Sequence, residues 1–403
     1  MITKLEDILS KNVRGMKKSV IRELLKLTAK PEIISFAGGL PSPKSFPVED
    51  LKEIIYEVME NEPKIALQYS ATEGDSVLKK ALVNHSIKEG IQVTEDNILI
   101  TTASQQGLDL IAKIFIDRGD KVIVELPSYV GGLGAFNAYG ADMIGVPQDD
   151  EGMSAVILRK KLSELKSKGE RPKFIYIVPD FQNPAGMTMS VKRRKEIIEI
   201  SHEFNVLILE DSPYRELRFE GKPVPSIYSL DDQNQIILLG TFSKILAPGF
   251  RIGWVLTHPD IINKLVVAKQ STDLCSSAFS QRILGRFLEK GYLEKNIEKI
   301  KKMYHKKRDL MVESFEKYMP EGVSWTTPEG GLFLLVTVPD YIDTDKLFER
   351  ALKYNVAFVI GSAFYCDNSG HNTMRINFSY PSEEQIKIGV PRLAKAIKEY
   401  PKE

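Results

Sequence analysis

The sequence predicts an α/β fold, with a mostly parallel central sheet flanked by helices and a smaller α+β domain built from both chain ends. In the middle of the chain, short apolar runs alternate with amphipathic segments, which indicates parallel strands buried on both faces. Towards both ends, longer helical patterns replace this alternation. We therefore expect an N-terminal arm with part of the small domain in residues 1–60, a large domain in residues 61–290, and the rest of the small domain in residues 291–403.

The middle of the chain supplies the predicted strands and helices of the large domain. Continuous apolar runs predict strands at residues 97–101, 121–125, 173–178, 206–209 and 236–240. Amphipathic patterns predict helices at about residues 105–116 and 191–204. Because each helix follows a strand, the order of these elements favours a doubly covered, largely parallel sheet.

The two ends of the chain supply the predicted elements of the small domain. Helical patterns cover residues 18–28, 47–61, 293–318 and 382–400, and strand-like segments cover residues 330–335, 357–360 and 374–378. Pro391 lies inside the last helical segment. Since proline lacks a backbone donor, we expect a kink or an interruption there.

The composition of the chain limits the classes of protein to which it can belong. Among 403 residues, 55 Lys and Arg balance 54 Asp and Glu, which gives no basic footprint for nucleic acid or an anionic membrane. The two cysteines, Cys275 and Cys366, form neither a disulfide framework nor a zinc spacing, which favours a reducing compartment. Neither a signal peptide nor a membrane span is indicated. We expect a cytoplasmic protein, without a metal, whose partners are small molecules or copies of itself.

The segment of residues 240–254, GTFSKILAPGFRIGW, is the most informative motif. It follows a predicted strand, so Ser243, Lys244 and Arg251 should lie at the carboxyl edge of the sheet, where α/β folds bind ligands. A lysine amine can form a Schiff base with an aldehyde, and hydroxyls with an arginine can hold a phosphate. Pyridoxal phosphate carries both an aldehyde and a phosphate. A lone Ser-Lys pair would more often belong to a surface loop, whereas the whole pattern favours a cofactor site.

Three further strand ends carry polar groups. Asp211 suits a helix cap, a metal ligand or a partner for a protonated ring nitrogen, which pyridoxal phosphate requires in order to accept electrons. Tyr214, three residues later, offers a hydroxyl to the phenolic oxygen of the ring, although this spacing alone is weak evidence. Asn183 precedes a proline, which is usually turn chemistry but also places an amide at a strand end. Ser104 begins a helix, where it forms an ordinary cap or part of an anion site.

These motifs, in this order and spacing, resemble the class I/II pyridoxal-phosphate-dependent aminotransferases of fold type I. The resemblance runs from Arg22 to the final helix, and residues 35–41 and 240–254 are most similar to the branch of 2-aminoadipate, kynurenine and aromatic aminotransferases. It implies an enzyme that moves an amino group from an α-amino acid to a 2-oxo acid. The expected donors are of the 2-aminoadipate, aromatic, leucine or glutamate type, and the expected acceptor is 2-oxoglutarate.

The resemblance also implies roles around the cofactor. Lys244 resembles the Schiff-base lysine that moves the substrate proton, and Asp211 resembles the partner of the ring nitrogen. Asn183 and Tyr214 resemble the groups that bind the ring phenolate, and Tyr129 resembles the aromatic residue that stacks on the ring. The expected phosphate ligands are Ser104, Gln105, Thr241, Ser243 and Arg251, of which Thr241 is the least secure because many relatives carry serine there.

The substrate-binding residues follow from the same resemblance. Arg375 resembles the arginine that binds the substrate α-carboxylate bidentately, beside the backbone of Gly39; the alternative is an ion pair at a strand edge. Tyr69 resembles the tyrosine that reaches the phosphate of the partner subunit, which implies a homodimer with shared active sites. Arg22 resembles the mobile arginine of 2-aminoadipate aminotransferases; the alternative is a solvated or locally paired arginine. Residues 269–277 contain no arginine, so strict aspartate specificity is not expected.

Two other functions compete with transamination. A lyase or decarboxylase would use the same lysine, aspartate and arginines. A transcriptional regulator with an aminotransferase-like domain would carry an additional DNA-binding module before that domain. Here the predicted fold begins within the first few dozen residues, so we expect an enzyme.

Overall fold

The computed structural model describes residues 4–16 and 30–401. The strands are β1 (Ile34–Ser35), β2 (Ile98–Thr101), β3 (Lys121–Leu126), β4 (Asp142–Asp149), β5 (Gly152–Met153), β6 (Phe174–Ile177), β7 (Leu207–Asp211), β8 (Ile236–Thr241), β9 (Gly253–Leu256), β10 (Ser324–Trp325), β11 (Phe333–Thr337), β12 (Val356–Ala357), β13 (Val359–Ile360) and β14 (Thr373–Asn377). The α-helices are Leu5–Ile8, Lys11–Gly15, Val48–Asn61, Pro63–Ala66, Ser76–Lys88, Ala103–Phe115, Val130–Ala138, Ala155–Ser167, Val191–Phe204, Ile227–Leu230, Pro259–Gln270, Ala278–Glu289, Tyr292–Tyr318, Thr344–Lys353 and Glu383–Lys398.

A large sheet of eight strands has the order β2-β9-β8-β7-β6-β3-β4-β5. Its central strands, from β8 through β7, β6 and β3 to β4, pair in parallel. Strand β9 pairs antiparallel with β2 and β8, and β5 pairs antiparallel with β4. All residues of β6 and β8 are buried, as the continuous apolar runs predicted. The predicted fold class, α/β with a mostly parallel sheet, is confirmed.

Two smaller sheets join segments from the two ends of the chain. Strands β10, β11, β14 and β13 form an antiparallel sheet in that order. Strand β1 pairs in parallel with β12, with Ile34 opposite Val356. Segments before residue 40 and after residue 320 therefore lie side by side. The domain limits at residues 60 and 290 stay a prediction.

One predicted strand in the second half of the chain was wrong in detail, and the interruption expected as one outcome at Pro391 does not occur. Residues 357–360 were expected to form one strand, but β12 and β13 belong to different sheets and the fully buried Phe358 separates them. The helix Glu383–Lys398 is not interrupted at Pro391. A capping box between Ser382 and Gln385 stabilises its first turn, and its buried apolar face offsets the missing backbone donor.

Several elements were not predicted from the sequence, among them β4, β9 and the helices Val130–Ala138, Pro259–Gln270 and Ala278–Glu289. The predicted helix at residues 18–28 lies outside the described residues. Within the described ranges, no helix has both the length and the apolar character that crossing a membrane would require.

Candidate active site

The carboxyl ends of the parallel strands bring the candidate residues to one edge of the large sheet. Asp211 is the last residue of β7 and Thr241 is the last residue of β8. Asn183 follows β6, and Lys244 and Ser243 follow β8. Arg375 comes from β14 of the smaller sheet and reaches this edge by bonding to Asn183. The candidate site therefore joins the two sheets.

Among the described residues, only one of the two oxygens of the Asp211 carboxylate accepts a hydrogen bond. It is 1% exposed, and its Oδ2 accepts a hydrogen bond of 2.8 Å from the hydroxyl of Tyr176 on β6. Its Oδ1 is buried and has no hydrogen-bond partner among the described residues. Burial raises the pKa of Asp211 to about 7, and the bond from Tyr176 opposes this rise. A buried carboxylate oxygen without a donor suits a ligand that brings a protonated nitrogen.

Lys244 lies beside two cations and a backbone carbonyl. Its Nζ donates to the carbonyl oxygen of Gly39 at 2.8 Å. Burial, with the nearby charges of Arg375 and Arg251, lowers the pKa of Lys244 to about 8. About a tenth of this amine is therefore unprotonated at pH 7, and the unprotonated form is the one that reacts with an aldehyde.

Arg375 is almost completely buried, with 2% of its surface exposed. Its Nη1 donates to Asn183 Oδ1 at 2.9 Å and its Nη2 donates to the carbonyl oxygen of Ala37 at 2.8 Å. Its guanidinium lies 4.2 Å from the ring centroid of Phe333, while its buried Nε has no hydrogen-bond partner within residues 4–16 and 30–401. Burial lowers the pKa of Arg375 to about 10. No carboxylate in the described ranges neutralises it at short range, so the site suits an anionic ligand.

The same arginine organises the groups expected at the ring phenolate. Asn183 accepts from Arg375 through its oxygen and donates through Nδ2 to the hydroxyl of Tyr214 at 3.3 Å. Tyr214 is 3% exposed, and burial raises its pKa, so it remains a protonated donor. The alternative for Arg375, an ion pair at a strand edge, does not match these neutral partners.

The expected phosphate ligands lie around the start of the helix Ala103–Phe115 and the end of β8. The hydroxyl of Thr241 donates to Ser243 Oγ at 2.9 Å. The backbone of Gly253 lies against that of Ser104, so closely that a Cβ at residue 253 would lie 2.6 Å from the Ser104 nitrogen. Arg251 is exposed and bonds to Pro248, with a left-handed φ of +53°.

Two further observations concern this region. Ala103, immediately before Ser104, also has a left-handed φ, of +61°. Such strained conformations of non-glycine residues gather at functional sites. Gln105 donates to the carbonyl of Gly131 at 3.0 Å, and a Cβ at Gly131 would lie 2.5 Å from the ring of Tyr129. Tyr129 is partly buried, and burial together with Asp211 raises its pKa.

Two candidate residues are not part of this cluster. The side chain of Tyr69 is 79% exposed, and its backbone amide bonds to Gln68. Arg22 lies outside the described residues.

The family model of class I and II aminotransferases matches residues 36–393. The chain belongs to this family. It is an aminotransferase that uses pyridoxal phosphate.

The aminotransferase has similar relatives whose activities are named. It is 48% identical over 395 residues to aromatic-amino-acid aminotransferase 1 of Thermococcus litoralis, covering 98% of this chain and 95% of the relative. It is 38% identical over 395 residues to the 2-aminoadipate transaminase of Thermus thermophilus, covering 97% of each. The structure of Pyrococcus horikoshii kynurenine aminotransferase in complex with PMP superposes with a TM-score of 0.96, at 50% identity and with full coverage of both chains.

The residues of this aminotransferase fit its cofactor. The partnerless Asp211 Oδ1 can take the ring nitrogen, the Lys244 amine can take the aldehyde, and the hydroxyls at Ser104 and Ser243 can take the phosphate.

Sequence reasoning missed three residues close to this site. Tyr176, which bonds to Asp211, was taken only as an apolar strand residue, and Phe333, which underlies Arg375, was taken in the same way. Lys269 is completely buried and bonds to Gln106 Oε1 at 2.8 Å and to Asp273 Oδ1 at 2.7 Å, behind the start of the helix that carries Ser104. In the sequence, a single lysine within an amphipathic helical pattern looks like a surface residue and does not indicate such a hydrogen-bond network.

Proposed function

We propose that this aminotransferase moves amino groups from aromatic, aliphatic or acidic α-amino acids to 2-oxoglutarate, with Lys244, Asp211 and Tyr214 as its catalytic residues. The observation that supports this most strongly is the buried Asp211 oxygen without a donor, at the same sheet edge as an amine whose pKa is lowered to about 8. The names of the similar relatives supply the substrate classes.

The chain's own groups would bind and orient the reactants. When bound, pyridoxal phosphate supplies an aldehyde that exchanges amines and a ring that accepts the electron pair left at the substrate Cα. Asp211 would keep the ring nitrogen protonated, Tyr214 and Asn183 would bind the phenolic oxygen, and Tyr129 would lie against the ring. Ser104, Gln105, Thr241, Ser243 and Arg251 bind the phosphate.

Lys244 and Arg375 would act on the substrate itself. Arg375 binds the α-carboxylate through its guanidinium, whose orientation Asn183 and the Ala37 carbonyl fix. The Gly39 backbone lies beside this position, and its carbonyl oxygen holds the Lys244 amine. As a free base, Lys244 would carry the proton between the substrate Cα and the C4′ atom of the cofactor.

The visible spectrum of the purified holoenzyme tests this proposal. Each amino acid that is a donor should bleach the yellow cofactor band, and the recovered 2-oxo acid should match the glutamate formed from 2-oxoglutarate. Lys244→Ala should lose multiple turnover while keeping some cofactor. Release of carbon dioxide or ammonia in place of stoichiometric glutamate would show a decarboxylase or lyase, and near-normal turnover by Lys244→Ala would remove the central role of this lysine.

We also propose a homodimer in which Tyr69 binds the phosphate of the partner subunit. Supporting this, the segment that precedes Tyr69 exposes large apolar side chains, since Tyr56, Ile65 and Leu67 are 73%, 53% and 68% exposed. Contact with a second copy of the chain would remove these apolar side chains from water, which favours association. The two unpaired cysteines are consistent with a cytoplasmic location.

Subunit mixing tests the shared site. Tyr69→Phe and Lys244→Ala subunits are combined, so that a mixed dimer holds one site with both defects and one site with neither. Activity above that of either parent supports the proposal. No recovery, despite proven subunit exchange, contradicts it.

The selection of acidic side chains by Arg22 stays a prediction from the sequence. Loss of a charge-assisted hydrogen bond costs about 1.5–3 kcal/mol, so Arg22→Ala should lower kcat/KM for glutamate and 2-aminoadipate by roughly ten- to a hundred-fold. It should spare leucine and phenylalanine. Equal losses for both substrate types would mean that Arg22 does not select them.

A further inference from the structure

Tyr176 occupies a special position beside Asp211. It lies on β6, opposite Leu209 of the parallel strand β7, and Asp211 ends β7 two residues later. This register places the Tyr176 hydroxyl 2.8 Å from Asp211 Oδ2. Tyr176 is completely buried, so its hydroxyl must find an acceptor within the protein.

The protein holds the ring of Tyr176 from two sides. The ring of Phe136 contacts it edge-on, with centroids 5.1 Å apart. On the helix Val130–Ala138, a Cβ at Gly132 would lie 2.7 Å from Tyr176 Cε1 and 2.9 Å from its hydroxyl oxygen. The hydroxyl can therefore approach Asp211 only because residue 132 has no side chain.

The hydrogen bond from Tyr176 gives the two Asp211 oxygens different environments. Oδ2 accepts from Tyr176, and this fixes the rotation of the carboxylate, while Oδ1 is left buried and without a partner among the described residues. The bond also favours the ionised carboxylate, because a donor to a buried carboxylate opposes the rise that burial causes in its pKa.

A second buried carboxyl lies near this pair and does not replace the hydroxyl. Glu125 is 1% exposed and accepts from the Val178 amide at 3.0 Å and from Gln182 Nε2 at 3.2 Å. Burial, together with the charge of Asp211, raises its pKa to about 8. Among the described residues no hydrogen bond joins Glu125 to Asp211, so the hydroxyl of Tyr176 is the donor that stabilises the Asp211 charge.

We propose that Tyr176 is a positioning residue of the aminotransferase, whose hydroxyl turns Asp211 Oδ1 towards the ring nitrogen of the cofactor and keeps this carboxylate ionised. The inference rests on the proposed role of Asp211. A purely structural tyrosine would only satisfy its own hydroxyl, and it would make no distinction between cofactors that differ at the ring nitrogen.

Two cofactors that differ at one atom test this distinction. The dissociation constants of pyridoxal phosphate and of its analogue with carbon in place of the ring nitrogen are measured for the wild-type protein, Tyr176→Phe and Tyr139→Phe. Tyr139→Phe is the matched control, because it removes a bond from a tyrosine hydroxyl to another carboxylate, that of Asp109, at 3.3 Å. In Tyr176→Phe, the preference for the nitrogen-containing cofactor should fall by about ten-fold, since hydrogen bonds to charged groups are of this strength.

A spectroscopic readout accompanies the affinities. With cofactor labelled with ¹⁵N, the ring nitrogen should be protonated in the wild type and in Tyr139→Phe, and partly unprotonated in Tyr176→Phe. Gly132→Ala is a second variant, which displaces the same ring without changing its chemistry and should shift both readouts in the same direction.

The outcomes separate this inference from the proposed function. Equal losses for both cofactors in Tyr176→Phe, or no loss with a fully protonated nitrogen, would overturn the role of Tyr176. If the wild type itself showed no preference for the nitrogen-containing cofactor, the proposed role of Asp211 would fail instead.

Discussion

Replacing Lys244 by methionine should stabilise the protein without cofactor at neutral pH, although it removes the amine proposed to be catalytic. The fold holds the partly buried Lys244 side chain beside Arg375 and Arg251, and this environment lowers its pKa from the ordinary value of 10.5 to about 8. The native state therefore binds the ammonium proton less tightly than the unfolded chain does. Methionine has a similar length and no charge to bury.

The magnitude follows from proton linkage. A pKa of about 8 instead of 10.5 corresponds to about 3 kcal/mol of destabilisation wherever both states are protonated, which means below pH 8. Methionine also leaves the Gly39 carbonyl without its donor, which costs about 1 kcal/mol. The net gain at pH 7 is about 2 kcal/mol. Between pH 8 and 10.5 only the unfolded chain holds the proton, so the stability of the wild type rises with pH and the gain approaches zero near pH 10.

Urea unfolding of the cofactor-free proteins at pH 7 and pH 10 measures this difference. The protein concentration is kept fixed, because association with a partner subunit would shift the midpoint. Lys52→Met serves as the control, since this side chain is 67% exposed and its replacement should change little at either pH. A Lys244→Met protein that is less stable than the wild type by the same amount at both pH values would refute the reasoning.

Three further outcomes are expected. Asp211→Asn should lower the rate of the half-reaction by about 10²–10³-fold, because an amide provides no charge for the ring nitrogen; absorbance in a single turnover measures it, and a rate within a few-fold of normal would contradict the role of Asp211. Arg375→Lys keeps the charge but loses the planar fork, so KM for the amino acid should rise by about ten-fold with a smaller change in kcat, and an unchanged KM would argue against carboxylate binding. Lys269→Met should lower the free energy of unfolding by about 2 kcal/mol. This is less than the ~3–5 kcal/mol expected for a fully buried ion pair, because Asp273 is 28% exposed. Calorimetry measures the change, and an unchanged melting temperature would mean that the pair does not contribute to stability.

The strands that carry the site were predictable because they are buried on every face. In β6 and β8 each residue is buried, so hydrophobic selection acts on all of them and leaves a continuous apolar run in the sequence. Strand β4 was missed, because it is half-exposed and includes Pro147, which dilutes the pattern. Strand β9 was missed because its first two residues, Gly253 and Trp254, belong to the lysine motif, and because this short strand runs antiparallel to its neighbours β2 and β8.

The candidate site was predictable wherever chemistry and strand ends coincide in the sequence, as at Asp211 and Lys244. It was not predictable where a contact depends on sheet register. Tyr176 and Asp211 are 35 residues apart, and only the pairing of β6 with β7 makes them neighbours. In the same way, Phe333 acquires its role only because β11 and β14 pair with Phe333 opposite Asn377, two residues from Arg375.

Because β1 pairs with β12, the first strand cannot pair until most of the chain has been synthesised. Ile34 has to find Val356, so the first strand leaves the ribosome about 320 residues before its partner exists. At about 5–20 residues per second, this interval is roughly 15 to 65 s. Throughout it, Phe36, which is completely buried in the finished fold, has no core to enter. The segment of β1 and Phe36 therefore stays exposed until the last fifth of the chain has been made, and it is among the last described parts of the protein to become native.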